Sequence, residues 1–477
     1  MDAKLVRGLE QLLGSAGVLA GADDLLLYEY DGSIDEARPD CVVFPRSTQD
    51  VVEIVRLANR YDVPIVGRGA GTGLSGGAIA RRGGIVIAFS RMKRILEIDT
   101  VNQRAVVEPG VVNSDLTRAV EKDGLYFAPD PSSQKACTIG GNVSENSGGP
   151  HTLAYGVTSS HVTALQLVLP DARVVRVGSR AIETPGYDLT GLVIGSEGTF
   201  ALVTEITVKL SRLPEKVGTL LAVFDTVEDA TDTVADITSR GITPAACEML
   251  DAWTLRAVEA FVHAGFPLDS AAVLLIEVEG VQEAAEAQSA EIAEVCRLHN
   301  AREVRRAADG PERELLWKGR KNAFGAVGRL SPSYYVMDGV IPRTKLTVTL
   351  RYIEDVGKRY SLQIGNVFHA GDGNLHPLIL FDQRDPAQLD RAIAAAGEIM
   401  KFCVDMGGAL TGEHGVGMEK SQLMPLMFSE ADLDLMRQVR AVFNPEGRLN
   451  PDKVLPLVKG CGETRVNVLA VLSGGRP

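Results

Sequence analysis

Closely spaced glycines are the feature that most restricts how this chain of 477 residues can fold. Of its 49 glycines, 25 lie in five short segments, residues 67–84, 140–156, 186–198, 365–373 and 407–417. They follow no Gly-X-Y period, which excludes collagen, and they lie among apolar runs, which excludes low-complexity disorder. Glycine permits backbone conformations and close approaches that a side chain prevents. The clustering therefore predicts sharply turning loops that come close to a ligand.

The first cluster contains a formal G-x-G-x-x-G match at residues 71–76. A dinucleotide-binding fingerprint of this form must open a helix. Residues 81–84 instead lead directly into the apolar run 85–87, which leaves no room for a helix. The segment also lacks the Gly-Lys-Ser/Thr ending of a P-loop. NAD binding is therefore disfavoured, and two interpretations remain, a flexible loop or a backbone cradle for a pyrophosphate.

Charge and cysteine content limit the partners and the compartment. The 49 basic and 62 acidic residues give a net charge of −13, which disfavours nucleic acid and anionic membranes as partners. The six cysteines form no CxxC pair, which argues against an iron–sulfur cluster in this chain. Neither a signal peptide nor a transmembrane segment is visible, and we expect reduced thiols in the cytoplasm.

The order of apolar runs predicts an α+β protein with short strands rather than a doubly wound sheet. Residues 1–36 are predicted to form short helices, and the capping-box-like Ser47 is predicted to open another. A change in sequence texture places a domain boundary near residues 212–218. The remaining predicted strands are 63–66, 85–89, 105–108, 162–169, 174–177, 200–210, 219–224 and 272–278, and the remaining predicted helices are about 227–240 and 281–299.

Residues 369–376, HAGDGNLH, carry the sharpest chemical signal. Asp-Gly between two apolar runs predicts a two-residue hairpin turn. With Asp372 and Gly373 as the turn, His369 lies directly opposite His376. Directly opposed residues share one face of a hairpin, with Cβ atoms about 4.5–5.5 Å apart. Two imidazoles at that spacing can share one cation.

The later stretch GEHGVG suggests a third ligand in Glu413. Two histidines and a carboxylate with open coordination positions suit a catalytic Zn²⁺, or else Mn²⁺ or Fe²⁺. The alternative is a set of hydrogen-bonded core histidines without a metal.

Three glycine-rich loops in order resemble the FAD-binding domain of the vanillyl-alcohol oxidase/p-cresol methylhydroxylase fold group, over about residues 38–215. The second loop spans residues 129–149 and the third spans residues 186–200. The HAGDGNLH and GEHGVG stretches resemble the C-terminal domain of FAD-linked 2-hydroxyacid dehydrogenases. This family includes the glycolate oxidase FAD subunit, D-lactate dehydrogenases and D-2-hydroxyglutarate dehydrogenase, and the resemblance spans about residues 38–458.

The resemblance implies a set of FAD-binding residues. The first loop would cradle the pyrophosphate, the second would line the flavin and ribityl chain, and the third would lie near the adenosine half. Because residues 61–78 contain neither His nor Cys, non-covalent FAD is expected, although Cys137 and His151 leave covalent attachment open. The implied residues are Arg68, Gly69, Ala70, Gly71, Thr72, Gly73, Pro131, Thr138, Gly141, Asn142, Gly148, Glu197, Gly198 and Asn450.

The resemblance also implies roles in the second half of the chain. His369, His376 and Glu413 would be the metal ligands, His414 the active-site base, and Arg320 the group that binds the substrate carboxylate. From the residues alone, Arg320 could equally lie on a solvated helix face.

Substrate length is indicated by two further positions. Where hydroxyglutarate enzymes have Thr and Lys, this chain has Phe324 and Val336, which favours a short substrate.

The implied architecture has two parts. Residues 1–216 form a two-subdomain FAD-binding domain, with N-terminal helices in 1–36 and a core in 38–215. Residues 217–440 form an α+β substrate and metal-binding cap domain with an antiparallel sheet. Residues 441–458 return to the FAD domain, and residues 459–477 form a tail.

The implied activity is the oxidation of a small D-2-hydroxy acid, D-lactate or glycolate, to the 2-oxo acid. Electrons would pass to a separate acceptor, which could be an iron–sulfur companion subunit, a quinone, a cytochrome or an electron-transfer flavoprotein. A homodimer or hetero-oligomer is expected, in the cytoplasm or at the inner face of the membrane.

Other functions remain open at this stage. One is a D-2-hydroxyglutarate-type dehydrogenase, and another is a flavin-fold transferase such as an alkylglycerone-phosphate synthase. A metal-dependent hydrolase would use the two histidines and Glu413 alone and would be colourless. A non-catalytic FAD-binding subunit is disfavoured by the intact set of histidines and Glu413.

Overall fold

The computed structural model describes residues 1–181 and 185–457, so the predicted tail, 459–477, lies outside the described residues. Apolar periodicity and N-terminal capping residues account for the longer helices. Ser47 accepts a hydrogen bond from the amide of Asp50, and Ser429 forms a full capping box with Asp432. The helices are α1 Ala3–Leu13, α2 Ala22–Leu25, α3 Thr48–Tyr61, α4 Asn113–Val120, α5 Ile139–Glu145, α6 Thr152–Tyr155, α7 Leu189–Val193, α8 Val227–Ser239, α9 Ala252–Val262, α10 Gln282–Leu298, α11 Gly310–Lys321, α12 Ala323–Val327, α13 Leu346–Tyr360, α14 Pro386–Asp405 and α15 Glu430–Phe443.

Most strands are short and rich in β-branched residues, as β propensity favours. The strands are β1 Val18–Leu19, β2 Cys41–Val43, β3 Ile65–Arg68, β4 Ile85–Ala88, β5 Ile95–Asp99, β6 Arg104–Val107, β7 Leu125–Tyr126, β8 Val162–Val168, β9 Val174–Gly178, β10 Leu202–Lys209, β11 Ser211–Arg212, β12 Lys216–Phe224, β13 Ala246–Asp251, β14 Ala272–Gly280, β15 Glu303–Arg306, β16 Ser333–Val336, β17 Gly339–Val340, β18 Ile364–His369, β19 Asn374–Leu375 and β20 Pro377–Phe381.

The chain divides into two compact units. The first comprises residues 1–148, 156–213 and 413–457, and its described residues form two larger sheets and the two-stranded pair β11-β7. In the sheet β1-β2-β4-β3, β4 pairs in parallel with both β2 and β3, and α3 connects β2 to β3. The sheet β5-β6-β10-β8-β9 is antiparallel throughout. The apolar face of α3 packs with buried residues of the first sheet, so each sheet contributes to its own core.

The second unit comprises residues 149–155 and 214–412. Its large antiparallel sheet has the order β15-β12-β14-β13-β18-β19-β17, and β20 pairs with β18 and β16. Strand β14 lies between β12 and β13, and its residues 272–278 are buried. Burial on both faces explains why this strand is an almost continuous apolar run.

These elements confirm the predicted α+β class, the helix opened by Ser47 and the eight predicted strands, whose boundaries agree within three residues. Other strands, among them β2, β5 and β13, were not predicted. The glycine-rich segment between β3 and β4 contains no helix, as its sequence predicts. Among the described residues, no helix is long and apolar enough to cross a bilayer. The five described cysteines are buried and unpaired.

The predicted register of the histidine hairpin was wrong. His369 pairs with Asn374 rather than His376, because the turn contains four residues instead of two. The amide of Gly371 donates to the carbonyl oxygen of Cys247 on β13 at 3.0 Å, so it is unavailable for the pairing that a two-residue turn at Asp372 and Gly373 would require. The amide of Ile341 also donates to the carbonyl of Gly373 at 2.9 Å. Bonds to neighbouring strands thus override the local turn preference.

The corrected register still places both histidines on the same face of the hairpin. It shifts the pairing by two residues, and alternate residues of a strand point to the same side. His369 and His376 therefore remain on one face, as diagonal rather than direct neighbours.

Candidate functional site

The first glycine-rich loop follows β3 and leaves little space for side chains. A Cβ on Gly69 would lie 2.4 Å from Thr138 Oγ1. Gly71 has φ +72°, and a Cβ there would lie 2.2 Å from Arg68 Nη2. Glycine is required at both positions, because a side chain would collide and at Gly71 would also be strained. At these two positions the backbone of the loop packs directly against Thr138 and Arg68.

Arg68 gives this loop a buried positive charge. Its guanidinium lies over the ring of Tyr28 at 5.5 Å, and its Nη1 has no hydrogen-bond partner among the described residues. Burial lowers the pKa of Arg68, and the nearby Asp31 opposes this shift. A buried guanidinium with an unpaired nitrogen at the start of a glycine-rich loop suits a phosphate group.

The second loop lies against the first. Thr138 caps α5 by accepting a hydrogen bond from the amide of Gly141 at 3.2 Å. Asn142 is buried, and its Oδ1 accepts from Asn113 Nδ2 at 3.0 Å, while its Nδ2 donates to Cys137 Sγ at 3.4 Å. These bonds fix the start of α5 in one conformation.

The third loop is joined to the first by Asn450. Its Nδ2 donates to the carbonyl oxygens of Gly77 at 2.9 Å and Glu197 at 2.6 Å. Glu197 and Gly198 both have left-handed backbone, with φ of 52° and 68°. All fourteen residues expected to bind FAD thus lie in the first unit, and the structure brings their three loops together. That they contact FAD stays a prediction.

In the second unit, the two hairpin histidines form a buried pair. The ring centroids of His369 and His376 are 5.0 Å apart, and the ring planes are nearly perpendicular. Both side chains are almost fully inaccessible. Two buried imidazoles at this distance are a donor set that suits one transition-metal ion.

Glu248 on β13 orients the first histidine. Its Oε1 lies 2.8 Å from His369 Nδ1, and its Oε2 accepts from Arg320 Nε at 2.6 Å. Burial alone raises the pKa of Glu248, but His369 and Arg320 together hold it below its ordinary value. A carboxylate at Nδ1 selects the imidazole tautomer whose lone pair is on Nε2, as in many metal sites.

His376 lies between an acidic and an aromatic residue. Asp338 Oδ1 is 3.5 Å from His376 Nε2, and Oδ2 of the same carboxylate accepts from the amide of Gly412 at 3.0 Å. The ring of Phe324 meets His376 edge-on, with centroids 6.2 Å apart. His376 therefore has an apolar neighbour, Phe324, on one side and the carboxylate of Asp338 on another.

Arg320 is buried, which excludes the alternative of a solvated helix face. Its helix, α11, is held by a second buried carboxylate, Glu277 on β14, which binds Arg313 and accepts from Trp317 Nε1 at 2.6 Å. Residues 313, 317 and 320 share one face of α11. Because Ala246 pairs with Glu277, the carboxylates of Glu248 and Glu277 lie on one face of the sheet. Two buried carboxylates thus fix the helix that carries Arg320.

Glu413 and His414 open the last segment of the first unit, whereas the histidine pair and Arg320 belong to the second. The roles of Glu413 as a metal ligand and of His414 as the base stay predictions.

The sequence reasoning missed Glu248. A signal was present, because Glu248 is a single carboxylate inside the apolar run 245–250.

A glycine-rich loop without a Rossmann helix and an antiparallel domain that contains a buried histidine pair are the features expected of an FAD-linked oxidase. Residues 39–178 match the family described as FAD binding domain, and residues 195–454 match FAD linked oxidases, C-terminal domain. The chain belongs to this family and is a flavin-dependent oxidoreductase.

Similar proteins agree with this assignment. Glycolate oxidase subunit GlcD of Escherichia coli (strain K12) is 45% identical over 447 residues, which cover 94% of this chain and 90% of that protein. The mitochondrial D-lactate dehydrogenase (cytochrome) of Arabidopsis thaliana is 33% identical over 421 residues, covering 88% and 74%. A crystal structure of p-cresol methylhydroxylase matches with a TM-score of 0.80 at 17% identity, covering 94% and 96%. The last comparison shows the shared fold alone and confirms the expected fold group.

Proposed function

We propose that this protein oxidises a small D-2-hydroxy acid, D-lactate or glycolate, to the corresponding 2-oxo acid. The observation that carries the proposal is the buried pair His369 and His376, joined through Glu248 to the buried Arg320. This cluster lies in a chain that also contains an FAD-binding domain. The activities that name its relatives, glycolate oxidase and D-lactate dehydrogenase, support the same reaction.

FAD would be held, without covalent attachment, by the three loops of the first unit. The amides around Gly69 and Gly71 and the unpaired Nη1 of Arg68 would bind its pyrophosphate. When bound, the flavin accepts two electrons and the hydrogen from C2 of the substrate.

A divalent metal, Zn²⁺ or else Mn²⁺ or Fe²⁺, would be held by His369, His376 and Glu413. The contact between Glu248 and His369 supports the first ligand. Glu413 directly follows Gly412, whose amide is bonded to Asp338 beside His376, and consecutive Cα atoms are about 3.8 Å apart. When bound, the metal lowers the pKa of a coordinated substrate hydroxyl.

Two side chains of the protein would act directly on the substrate. Arg320 would bind the carboxylate, since a guanidinium fixed by Glu248 is oriented in advance. His414 would take the hydroxyl proton, because an imidazole can accept a proton near neutral pH.

The surroundings of His376 support a short substrate. The ring edge of Phe324 is apolar and provides no hydrogen-bond donor for a distal carboxylate. Val336 on β16 is likewise apolar. Both residues favour D-lactate or glycolate over D-2-hydroxyglutarate.

Turnover would require a separate electron acceptor, because the sequence contains no cluster motif of its own. An iron–sulfur companion subunit, a quinone, a cytochrome or an electron-transfer flavoprotein could serve. The companion-subunit case would place a hetero-oligomer at the inner face of the membrane, and the other cases allow a cytoplasmic homodimer.

The test is anaerobic flavin reduction, followed by the loss of absorbance near 450 nm. We expect D-lactate or glycolate to bleach the flavin, whereas L-lactate leaves it oxidised and D-2-hydroxyglutarate reacts at least tenfold more slowly. If D-2-hydroxyglutarate reduces the flavin faster than D-lactate or glycolate does, the short-substrate assignment is wrong and a longer hydroxy acid is the substrate. A yellow protein that no 2-hydroxy acid reduces would rule out the proposed reaction.

A further inference from the structure

The loop at residues 415–417 is held from one side by a buried carboxylate. The side chain of Glu197 accepts hydrogen bonds from the amides of Val416 and Gly417, each at 2.7 Å. Successive amides that point at one anion form a nest, which elsewhere binds phosphate or other external anions. Here the anion is the carboxylate of Glu197, so the nest binds a side chain of the protein itself.

A buried cation holds the same loop from the other side. Lys420 is fully buried, and its Nζ donates to the carbonyl oxygen of Gly415 at 3.1 Å. A Cβ on Gly415 would lie 2.4 Å from Glu145 Oε2 and 2.9 Å from Glu197 Oε1. At Gly417 a Cβ would lie 1.9 Å from the carbonyl oxygen of Ser75. Close packing and two charged contacts therefore leave the loop a single conformation.

Glu197 also connects this loop to the glycine loops of the cofactor cradle. Its backbone carbonyl accepts from Asn450, which bonds to Gly77 as well. Lys453, also buried, donates to the carbonyl oxygen of Ile79 at 2.7 Å. The Glu197 side chain thus binds the loop after His414, and Asn450 links the backbone of Glu197 to the first glycine loop.

The contacts of Glu197 contribute to the stability of the loop at residues 415–417. Burial raises the pKa of Glu197, while the two amides and the buried lysines Lys420 and Lys453 oppose this shift. Hydrogen bonds to an ionised group are stronger than those to a neutral group, and a buried polar group that loses its partner is destabilising. Removing one acceptor oxygen should therefore loosen the loop measurably.

We propose that Glu197 and Lys420 are positioning residues for His414. Together they hold the backbone that follows this histidine, so that its imidazole meets the substrate hydroxyl in one orientation. The inference deepens the proposed function, because it rests on His414 being the base. It also gives Glu197 a role beyond lining the cofactor.

The test compares Glu197→Gln with a matched control. Glutamine keeps the shape but presents a single acceptor oxygen, so one of the two amides, Val416 or Gly417, loses its partner. The control is Glu259→Gln, because Glu259 also accepts from two successive amides, those of Gly265 and Phe266, at 3.0 and 3.1 Å.

Four measurements follow for each variant, and three of them are expected to change in Glu197→Gln. We expect Glu197→Gln to keep its flavin absorbance, and to raise hydrogen exchange of the peptide 413–420 about tenfold or more. Flavin reduction should slow about 10- to 100-fold with KM within about threefold, because a small misplacement of a catalytic group can cost that much. The solvent deuterium isotope effect on flavin reduction should rise, since proton removal becomes slower. The Glu259→Gln control should change none of these.

Each negative result has a distinct meaning. We call the hold of Glu197 and Lys420 on residues 415–417 the clamp. Unchanged hydrogen exchange of the peptide 413–420 in Glu197→Gln would show that the clamp does not exist. Raised exchange with an unchanged reduction rate and isotope effect would overturn the positioning role. If Glu197→Gln does not fold, Lys420→Met is measured in the same way and must give the same three changes. If the wild-type flavin is reduced by no 2-hydroxy acid, the proposed function fails and this role fails with it, whereas the exchange result still tests the clamp.

Discussion

The two units prepare their binding sites by different physical means. In the first unit, the loops around Gly69, Gly71 and Gly198 rely on the absence of side chains, because the first two have no room for a Cβ and Gly198 has left-handed backbone. In the second unit, buried carboxylates such as Glu248 and Glu277 orient histidine and arginine side chains from the face of a sheet. The first arrangement should be sensitive to added volume, and the second to lost charge. Substitutions in one unit should therefore separate cofactor binding from substrate oxidation.

The largest expected effect comes from removing a proposed metal ligand. His376→Ala should leave the flavin absorbance intact and slow flavin reduction about a thousandfold or more, because it removes several kcal/mol of transition-state stabilisation. Anaerobic stopped-flow absorbance measures both quantities. The control is His299→Ala, since His299 also bonds to a carboxylate, Asp236 at 3.0 Å. Loss of the yellow colour in His376→Ala, or a normal reduction rate, would contradict the separation of the two sites.

The second prediction concerns the carboxylate behind the histidine. Glu248→Gln should lower metal affinity about 10- to 100-fold, because an amide supports the metal-binding tautomer of His369 less well than a carboxylate does. Metal content after dialysis, measured by elemental analysis, tests this. The control is Glu398→Gln, whose carboxylate binds Arg359 at the surface. Equal metal content in both variants would mean that Glu248 serves only to pair Arg320.

His376 and Glu248 show why the histidine pair could be predicted from the sequence and the carboxylate behind it could not. The histidine pair depends on a hairpin between segments seven residues apart, so local turn chemistry suffices to place both rings on one face. Glu248 reaches His369 only because β13 pairs with β18, across 121 residues of sequence. No local pattern determines which strands become neighbours in a sheet.

The same distinction explains the error in the hairpin register. Asp372-Gly373 favours a two-residue turn locally, but the amide of Gly371 bonds to Cys247 on the neighbouring strand. The helix opened by Ser47 and the six strands predicted in the first unit could be found because capping residues and apolar runs are local features. The clamp of Glu197 on residues 416–417 was not, because it joins positions more than 200 residues apart.

The third prediction tests whether FAD binding by the first unit requires glycine in its loops. Gly71→Ala should weaken FAD binding about tenfold or more, since left-handed backbone costs an alanine about 1–3 kcal/mol and its Cβ would collide with Arg68. Flavin content and FAD titration of the apoprotein measure the loss. Gly124→Ala is the control, because Gly124 has φ +70° but nothing within 4 Å of a Cβ. Equal losses in both variants would assign the effect to strain alone.

The smallest expected effect is at the second carboxylate, Glu277. Arg313→Met removes its bidentate partner on α11 and should raise KM for the hydroxy acid several-fold with kcat nearly unchanged, because Arg320 on the same helix is held less firmly. Steady-state kinetics with an artificial electron acceptor give both constants. Arg351→Met, which breaks an exposed pair with Glu228, should change neither. A fall in kcat with constant KM would show that α11 acts on the chemical step.

The most direct test of the account is metal removal followed by anaerobic flavin reduction. Chelator-treated protein should remain yellow, and D-lactate or glycolate should no longer bleach the absorbance near 450 nm. Adding back one divalent ion, Zn²⁺, Mn²⁺ or Fe²⁺, should restore bleaching in the wild type and not in His376→Ala. Full bleaching of metal-free protein, or loss of the flavin together with the metal, would contradict a separate metal site that prepares the substrate for oxidation.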